Sequence, residues 1–585
     1  MNTNERGMNK AILPIHIPRS RQSTLANKTG SWRIMCPEYE EKTSPCSAAC
    51  PTGEDIASIQ MLTTRGLFKD AWETILMENP FPSVCGRVCY HPCEGVCNRQ
   101  HFDETVGIHI IERFLGDTAN RYQFKASFER SESREEKVAV VGAGPSGLSA
   151  AYFLSRLGYA CDVFEEKSEP GGVLRWGIPT YRLPTVVLER EINLIKDTGV
   201  TIRCGEQVSR SFLEEIRGNY NALFFGCGHG RIPELDIPGE DQVMDGLTFL
   251  SDVKKGKRPE LQDTIAILGG GNTAIDVARC VIRLGGRALI IYRRRKQDMP
   301  AFAEELEMAL DEGAELSELL APAKIEKEKE EYILTLQKME ITGLDELGNA
   351  VVKPDHGKMR RISVQMVVKA IGADAVESWQ RPPSNGENTL LLGNCVMDFR
   401  PSGFTQVYGG DLTAEVKSVV HAVASGKHAA IALDLFFKEG RDAIVEGFHK
   451  CAVGEGPPFS MKAYLNNGES RLSPSIVTFE SINTDYFKIT PRLIQPRLLM
   501  KERISGFSEI DLRVSAGLLM KESKRCFNCG ICNQCDNCYI FCPEIAVIRD
   551  ASQLGRHINY DYCKGCGICV AECPRNAMAL KEEVS

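Results

Sequence analysis

The hydrophobic pattern of the chain is dominated by two short apolar runs, each followed by a glycine-rich turn and a helix-length segment. Residues 138–141 and 264–268 have the length and β-branched content of buried parallel strands. After each helix-length segment a further apolar run follows, at residues 161–164 and 288–292. This strand–turn–helix–strand order, found twice, predicts two α/β units with parallel sheets.

The first turn carries glycines at the three positions of a dinucleotide-binding fingerprint, Gly142, Gly144 and Gly147. In that fingerprint the first glycine allows the tight turn, the second lets a pyrophosphate approach the backbone, and the third lets the helix pack closely. Glu165 ends the next strand at about the 20-residue spacing expected of a ribose-binding acid. The strand, the helix and the acid together make a turn without a ligand a poor alternative, and we expect FAD here.

The second turn repeats the pattern with Gly269, Gly271 and Ala274. Its following strand ends in Arg293-Arg294-Arg295 rather than in an acid. Guanidinium groups suit a 2′-phosphate, which they can grip with forked donors. The sequence therefore predicts NADP(H) in this domain, with NAD(H) as the alternative and a solvated arginine face as the non-functional interpretation.

The predicted fold class is α/β, with two Rossmann-like domains arranged as in thioredoxin reductase and flanked by iron–sulfur domains at both ends. The NAD(P) domain is inserted in the FAD domain, which resumes before the helix-forming residues 419–437. Residues 438 to about 505 predict an extended connector with short strands at most, and 507–524 a helix. The predicted units are an N-terminal arm (1–35), a helical iron–sulfur domain (36–120), FAD-domain halves (137–259 and 373–437), an NAD(P) domain (260–372), a linker (438–522) and a ferredoxin-like α+β domain (523–585).

Charge and hydropathy exclude several classes of function. The 585 residues carry a net charge of −8 and no basic cluster of the kind that binds nucleic acid. The start of the sequence has no charged-then-apolar leader. The most apolar long stretch, 419–437, contains Lys427, two histidines and Asp434, so we expect no membrane span. These features predict a soluble, cytoplasmic protein.

The 23 cysteines are the strongest chemical signal, because most of them lie in two groups on either side of the dinucleotide domains. The C-terminal group contains C-x2-C-x2-C-x3-C-P twice, the run of bacterial ferredoxins, in which the fourth cysteine of each motif ligates the other cluster. Zinc knuckles do not need this ending. The sequence predicts one [4Fe–4S] cluster on Cys532, Cys535, Cys538 and Cys573, and a second on Cys563, Cys566, Cys569 and Cys542. Cys526 and Cys529 are left without an assignment.

The N-terminal group is less regular. Two clusters need eight ligands, and zinc is the alternative metal for the whole set. Glu112, on the helix-forming stretch after the last cysteine, is a candidate eighth ligand, although it could also be an ordinary surface glutamate. The seven cysteines counted there are Cys36, Cys46, Cys50, Cys85, Cys89, Cys93 and Cys97.

From about residue 36 to 435 the chain resembles the small-subunit family of NADPH-dependent glutamate synthase. The matching motifs are CGRVCYHPCEGVC, VVGAGPSGL, PGGVLRWGIPTYRLP, LGGGNTAIDVAR, YRRR, MPA and YGGDL. The resemblance implies a thioredoxin-reductase-type pair of domains that bind FAD and NAD(P), and a non-cysteine cluster ligand at Glu112. It also implies cofactor contacts from Gly142, Gly144, Pro145, Ser146, Gly147, Glu165, Glu166, Gly172, Val173, Leu174, Gly177, Ile178, Arg182, Gly410, Asp411, Gly269, Gly271, Asn272, Thr273, Ala274, Arg293 and Arg294.

Two features depart from that family. Its first cysteine run usually has four members, whereas this chain has Cys36, Cys46 and Cys50, with Cys85 as a candidate for the missing ligand. The glutamate synthase subunit also lacks the ferredoxin tail. The tail makes the chain similar to oxidoreductases that deliver electrons to dissimilatory sulfite reductase or to ferredoxin-dependent enzymes of anaerobic metabolism.

The hypothesis that follows is an oxidoreductase subunit that moves electrons between NAD(P)H, FAD and four [4Fe–4S] clusters, to or from ferredoxin or a larger catalytic subunit. Nicotinamide transfers two electrons as hydride, clusters transfer one, and a flavin does both. Thioredoxin reductase is disfavoured because the inserted domain lacks C-x2-C, and dihydropyrimidine dehydrogenase because no FMN barrel follows. The alternatives are a glutamate synthase small subunit, a bifurcating transhydrogenase subunit, and a non-enzymatic wiring subunit. We expect a hetero-oligomer in each case.

Overall fold

A computed structural model describes residues 28–128, 131–383, 388–399, 404–550 and 555–583. The predicted N-terminal arm lies outside these residues up to residue 27. Its end, the 3-10 turn Thr29–Trp32, lies on the C-terminal domain, where the Gly30 amide donates to the Asp561 carbonyl at 2.8 Å. Within the described residues, no helix has the length and apolar character needed to cross a membrane.

The FAD domain is built on a seven-stranded sheet whose central strands are parallel, because helices cover both faces of them. An antiparallel pair extends the sheet at one edge. The strands, in order across the sheet, are Thr389–Leu392, Cys395–Phe399, Thr405–Tyr408, Ala222–Phe225, Lys137–Val141, Ala160–Glu165 and Thr201–Cys204. The helices are Pro145–Arg156, Gly172–Trp176, Thr185–Asp197, Arg210–Ile216 and Val419–Glu439.

The NAD(P) domain has a five-stranded parallel sheet and a separate three-stranded antiparallel sheet. It begins earlier than the predicted boundary at residue 260, because Met244–Asp245 is already its edge strand. The parallel strands, in order, are Glu315–Glu318, Arg287–Tyr292, Thr264–Leu268, Met366–Lys369 and Met244–Asp245, with helices Gly246–Lys254, Asn272–Arg283 and Ala303–Asp311. The antiparallel strands are Leu320–Glu328, Glu331–Leu344 and Ala350–Val364.

The N-terminal iron–sulfur domain is helical, as its periodicity predicts. Its helices pack around a small core that includes Trp72 and Ile75, and the rings of Phe68 and Phe114 meet edge-to-face at 5.2 Å. One continuous apolar stretch is divided into two helices at Gly66, where φ is +75°. The helices are Pro45–Ala49, Ile56–Thr64, Phe68–Leu76, Pro82–Val88, Pro92–Gly95 and Ile108–Tyr122.

The C-terminal domain contains a strand that the sequence analysis assigned elsewhere. Met35–Tyr39 pairs antiparallel with Met578–Glu582 and places Cys36 opposite Lys581. Arg33 and Tyr560 lie beside both Cys36 and Cys563 of this domain. The prediction that Cys36 joins the N-terminal cysteines is therefore wrong, because its strand pairs with the last strand of the C-terminal domain. The other elements here are strands Val547–Arg549 and Arg556–Ile558 and helices Asn537–Ile540 and Ile568–Ala571.

The segment 438–522 is packed against the other domains instead of forming an extended linker. The prediction of short strands at most is wrong, because Ile444 and Phe448 are buried in the FAD-domain core and order a helix there. The predicted helix 507–524 is shorter in the structure, starting at Ala516. The elements are helices Ala443–Lys450, Met461–Leu465, Met500–Ile504 and Ala516–Arg525, and strand Ser473–Ile476, which pairs parallel with Lys42–Thr43.

The long helix Val419–Glu439 joins the FAD domain to the iron–sulfur domain. At Gly426 it crosses helix Pro145–Arg156 so closely that a Cβ would lie 2.3 Å from the Ser146 carbonyl. The fully buried ammonium of Lys427 pairs with Glu78 of the iron–sulfur domain at 2.5 Å. Burying a charge is unfavourable without such a partner, so this pair fixes how the two domains meet.

Candidate functional site: two dinucleotide clefts and the cysteine groups

The FAD turn has the geometry that its three glycines predict. Gly142 has φ +98°, and a Cβ on Gly147 would lie 1.9 Å from the Gly142 carbonyl oxygen. Gly144 is different, since a Cβ there would have no heavy atom closer than 3.9 Å. The free space beside the second glycine, at the start of helix Pro145–Arg156, is where the fingerprint places a pyrophosphate. This turn therefore fits the phosphates of FAD.

Glu165 lies at the end of its strand with the carboxylate turned toward this same turn. It accepts hydrogen bonds from the backbone amides of Ala143 at 2.8 Å and Lys167 at 3.0 Å. Burial raises the pKa of Glu165, while these two amides lower it. An acid held in this way beside the glycine turn suits the diol of a ribose.

The returning half of the FAD domain closes over the same helix start. The Gly410 amide donates to Ser425 Oγ at 2.7 Å, and Ser425 shares a hydrogen bond with Ser146 at 2.8 Å. Burial raises the pKa of Asp411, which follows Gly410, while His229 and Lys417 lower it. Residues far apart in sequence thus meet at one end of helix Pro145–Arg156.

The remaining predicted FAD residues are placed less uniformly. Gly172 approaches the turn closely, since its Cβ would lie 2.8 Å from the Gly144 Cα. Arg182 does not reach toward the flavin domain's turn: it pairs with Asp276 and Glu305 of the NAD(P) domain, each at 2.9 Å, and ties the two domains together. Of the others, Leu174 and Ile178 pack in the core, Gly177 is buried, Pro145 is the first residue of the helix, and Val173 and Glu166 are exposed.

The NAD(P) turn repeats the arrangement. Gly269 has φ +140°, and a Cβ there would lie 2.1 Å from the Ala370 carbonyl oxygen. Gly271 has open space around its Cβ position, and Ala274 is fully buried. Asn272 accepts from the Phe302 amide at 2.9 Å, and Thr273 packs beside Gly246. As in the FAD domain, the second of the three fingerprint residues is the one with open space where a Cβ would lie.

The three arginines after strand Arg287–Tyr292 are not equivalent. Arg295 is held by Asp298 through two hydrogen bonds, of 2.7 and 2.8 Å. Arg293 is exposed and Arg294 half-buried, and neither forms an ion pair within the described part of the chain. The Nε of Arg294 has no hydrogen-bond partner there. Arg294 lies near the Tyr292 hydroxyl and the Asp345 carboxylate. The two guanidinium groups therefore have no ion-pair partner among the described residues, and an anion could pair with them.

Tyr90 connects the two dinucleotide domains with the cysteines. Its ring stacks on Phe302 of the NAD(P) domain at 5.2 Å, and on His421 of helix Val419–Glu439 at 5.9 Å. It directly follows Cys89 in the chain. Tyr90 is not among the site residues predicted from the sequence, although its position inside CYHPC was a usable signal.

One N-terminal cysteine group surrounds Glu112. Burial raises the pKa of Cys89, and the neighbouring Glu112 and Cys50 raise it further. The thiol of Cys93 neighbours both Cys50 and Cys89. Cys85 neighbours Glu112 and Cys89, and packs into the FAD-domain core. Glu112 itself is half-buried and accepts a hydrogen bond from Asn79 at 3.2 Å.

The two other N-terminal cysteines lie beside the pair that the sequence left unassigned. Burial raises the pKa of the Cys46 thiol, and the neighbouring Cys526 and Cys97 raise it further. Cys529 neighbours Cys46 and Cys97, and accepts a hydrogen bond from Asn98 at 3.6 Å. Four thiols from both ends of the chain therefore surround one place.

The ferredoxin cysteines form two interleaved groups. Cys532 neighbours Cys573 and Cys538, and Cys538 neighbours Cys535 and Cys573. In the second group Cys563 neighbours Cys542 and Cys566, and Cys569 neighbours all three.

These groups suit clusters better than single metal ions. Among the described residues, no three His, Cys, Asp or Glu side chains converge on a single ion. A [4Fe–4S] cluster needs four separate thiolates around a volume, one for each corner iron, instead of donors that meet at a point. The donor sets therefore fit [4Fe–4S] clusters, with thiolate as the main ligand.

Comparison with known proteins assigns the chain. Residues 136–426 match the pyridine nucleotide-disulphide oxidoreductase family, 34–124 match dihydropyrimidine dehydrogenase domain II with its 4Fe–4S cluster, and 556–579 match a 4Fe–4S binding domain. NADPH-Fe(3+) oxidoreductase subunit beta of Geobacter sulfurreducens is 32% identical over 533 residues, covering 84% of this chain and 75% of that protein. The chain belongs to this family of flavin and iron–sulfur oxidoreductase subunits.

Other members of the family include the small chain of glutamate synthase [NADPH] of Azospirillum brasilense, 28% identical over 68% of this chain and 88% of that one. The dihydropyrimidine dehydrogenase subunit PreT of Escherichia coli K12 is 30% identical over 70% and 94%. The predicted resemblance, fold class and oxidoreductase activity are confirmed. This family member has FAD/NAD(P)-binding and 4Fe–4S domains.

Proposed function

We propose that the chain is an NADPH-dependent subunit that moves electrons between NADPH and a partner protein through FAD and four [4Fe–4S] clusters. The observation that carries the proposal is an unbroken succession of candidate redox sites. Tyr90 lies between the dinucleotide domains and directly follows Cys89. The group that contains Cys89 and Cys93 adjoins Cys46, because Cys93 neighbours Cys46. Arg575 then neighbours both Cys526 and the ferredoxin cysteine Cys532.

The preference for NADPH is supported by Arg293 and Arg294. No acid stands at the end of their strand to accept from a ribose 2′-hydroxyl, and Arg295 is held by Asp298. Two guanidinium groups without ion-pair partners among the described residues complement the charge of a 2′-phosphate. NAD(H) would leave these donors with no anion.

The chain's own residues hold and orient the cofactors. When bound, FAD can exchange two electrons with a nicotinamide and one with a cluster. Gly144 and Gly271 leave room for the two pyrophosphates, and Glu165 accepts from a ribose. Hydride transfer needs no general acid or base, so we assign none.

For the clusters, the ferredoxin groups fit the two C-terminal sites as interleaved motifs. In the N-terminal domain we assign one cluster to Cys50, Cys89, Cys93 and Glu112. Glu112 neighbours both Cys50 and Cys89. Cys85 neighbours Cys89, but neither Cys50 nor Cys93 is among its main neighbours. Cys85 is also part of the FAD-domain core.

The partner is inferred from the relatives, which are described as a beta subunit and a small chain. We propose that this chain also works in a hetero-oligomer, with ferredoxin or a larger catalytic subunit exchanging electrons at the C-terminal domain. In the series of candidate redox sites that starts at Tyr90, the ferredoxin clusters of this domain come last.

The proposal is tested by dye reduction with the anaerobically purified chain. We expect NADPH to reduce a viologen dye with a kcat/KM about 100-fold above that of NADH, the ratio that two charge-assisted contacts of about 1.5 kcal/mol each would give. Equal use of both nucleotides would contradict the assignment of NADPH. If neither NADPH nor NADH reduced the dye, the result would contradict the proposed enzyme activity and would favour a non-enzymatic wiring subunit.

A further inference from the structure

The loop that follows helix Ala516–Arg525 leaves the C-terminal domain and inserts into the N-terminal one. Asn528 donates to the Ala57 carbonyl at 2.9 Å, and Arg525 offers its carbonyl to Arg99 at 2.7 Å. Both Asn528 and Arg99 are buried. These contacts hold Cys526 and Cys529 in the helical domain, although they lie about 430 residues from Cys97 in the chain.

The four thiols found there form one group. Cys46, Cys97 and Cys529 are buried, and Cys526 is partly buried against the same apolar core. Each of the two C-terminal cysteines neighbours Cys97 electrostatically, and each neighbours Cys46. The neighbouring Cys50 and Cys89 already adjoin Glu112, and Cys93 adjoins both of these cysteines. Four thiols therefore remain without any other role, in the number that one cubane requires.

The backbone around these thiols has the form of a ligand loop. Cys526 and Cys529 have the C-x2-C spacing of cluster motifs, and the Asn528 amide donates to Cys526 Sγ at 3.3 Å. Asn98 donates to Cys529 Sγ at 3.6 Å. Amide donors to cysteine sulfur tune bound clusters and stabilise thiolate. Each of the two sulfurs thus accepts a hydrogen bond, as cluster-ligating sulfurs do.

We infer that Cys46, Cys97, Cys526 and Cys529 hold one [4Fe–4S] cluster, so that the C-terminal segment supplies half the ligands of a cluster in the N-terminal domain. This inference rests on the proposed function only in taking the cubane as the cluster type. With Cys36 in the C-terminal domain, the first cysteine run keeps only Cys46 and Cys50. Cys526 and Cys529 would supply the ligands that this run lacks.

The site also lies where an electron relay would need it. Cys46 neighbours Cys93 of the Glu112 group on one side. On the other side Arg575 neighbours Cys526 together with Cys532, Cys535 and Cys573 of the ferredoxin domain. Its carbonyl accepts from the Gly530 amide at 2.7 Å, which joins the ligand loop to the ferredoxin domain.

The test is the iron and sulfide content of the full chain, purified without oxygen, in three single variants and one double variant. We expect Cys46→Ser and Cys526→Ser each to lose about four iron atoms per chain, and the double variant to lose no more than either. Cys36→Ser, a cysteine of similar exposure near the ferredoxin domain, is the matched control and should keep its iron. A double variant that loses about eight iron atoms would show that the two cysteines serve different clusters, and would overturn the inference.

A second measurement needs no variant and so does not depend on folding. In the unsubstituted protein, Cys46, Cys97, Cys526 and Cys529 should resist alkylation together, and should become reactive together when a chelator removes iron under mild denaturation. Mass spectrometry of the peptides gives the result. Cys526 and Cys529 reacting while Cys46 and Cys97 stay protected would contradict the shared site, whereas failure of NADPH-dependent dye reduction would leave this result unaffected.

Discussion

Replacing Arg293 and Arg294 together by alanine lowers kcat/KM for NADPH about 100-fold and leaves kcat/KM for NADH within about twofold. The expectation follows from two charge-assisted contacts to a phosphate, of about 1.5 kcal/mol each at this partly exposed position. Both side chains lie at the end of strand Arg287–Tyr292 with no ion-pair partner among the described residues. Steady-state kinetics with both nucleotides measures the effect.

The matched control is Arg287→Ala, at the opposite end of the same strand. Its guanidinium is 71% exposed and pairs with Asp263, far along the strand from the glycine turn. This variant should keep the activity with both nucleotides. An equal loss with NADPH and NADH in the double variant would mean that Arg293 and Arg294 support the fold, and would contradict their assignment to the 2′-phosphate.

Removing the Glu112 carboxyl is expected to remove a whole cluster. Glu112→Ala should lower the iron content by about four atoms per chain, because one corner iron would lose its ligand. Burial is the largest cause of the raised pKa of the Glu112 carboxyl, and Glu54 and Glu191 raise it further. The thiols of Cys50, Cys85 and Cys89 lie beside it. A buried carboxyl in such surroundings is unfavourable unless it binds a cation. Iron analysis and the visible absorbance of the clusters measure the result.

Cys85→Ala is the control for Glu112. Both side chains adjoin Cys89, but Cys85 packs with Phe81 and Val84 in the FAD-domain core. The variant should keep its iron while losing some stability, since a small buried side chain is truncated. If Cys85→Ala lost iron and Glu112→Ala kept it, Cys85 would be the cluster ligand in place of Glu112, and our ligand set would be contradicted.

The parts of the fold that were predictable are those in which the signal is local. The fingerprint Gly142, Gly144 and Gly147 lies within one turn, so the steric role of each glycine can be derived from its spacing. The same holds for Arg293 and Arg294, which directly follow an apolar strand. In both clefts the structure has the open second glycine that such a turn requires.

The parts that were not predictable depend on contacts between distant residues. Cys36 is carried away from Cys46 by a backbone pairing with residue 581, and no spacing rule contains that information. Cys526 and Cys529 reach the N-terminal domain through the side chains of Asn528 and Arg99, not through a motif. Arg182 lies inside a flavin-type motif, yet Asp276 and Glu305 bind it. Helix Ala443–Lys450 is stabilised by burial of Ile444 and Phe448, where local glycines and prolines suggested a connector.

The central claim is that electrons from NADPH reach the iron–sulfur clusters within this one chain. The direct measurement is rapid-freeze EPR of the anaerobic protein, mixed with NADPH in the absence of any partner. Our account predicts that flavin absorbance falls first and that the EPR signal of reduced [4Fe–4S] clusters then appears, with NADH giving the same signal more slowly. Flavin reduction with no cluster signal would contradict the relay, because it would show that electrons stop at the flavin.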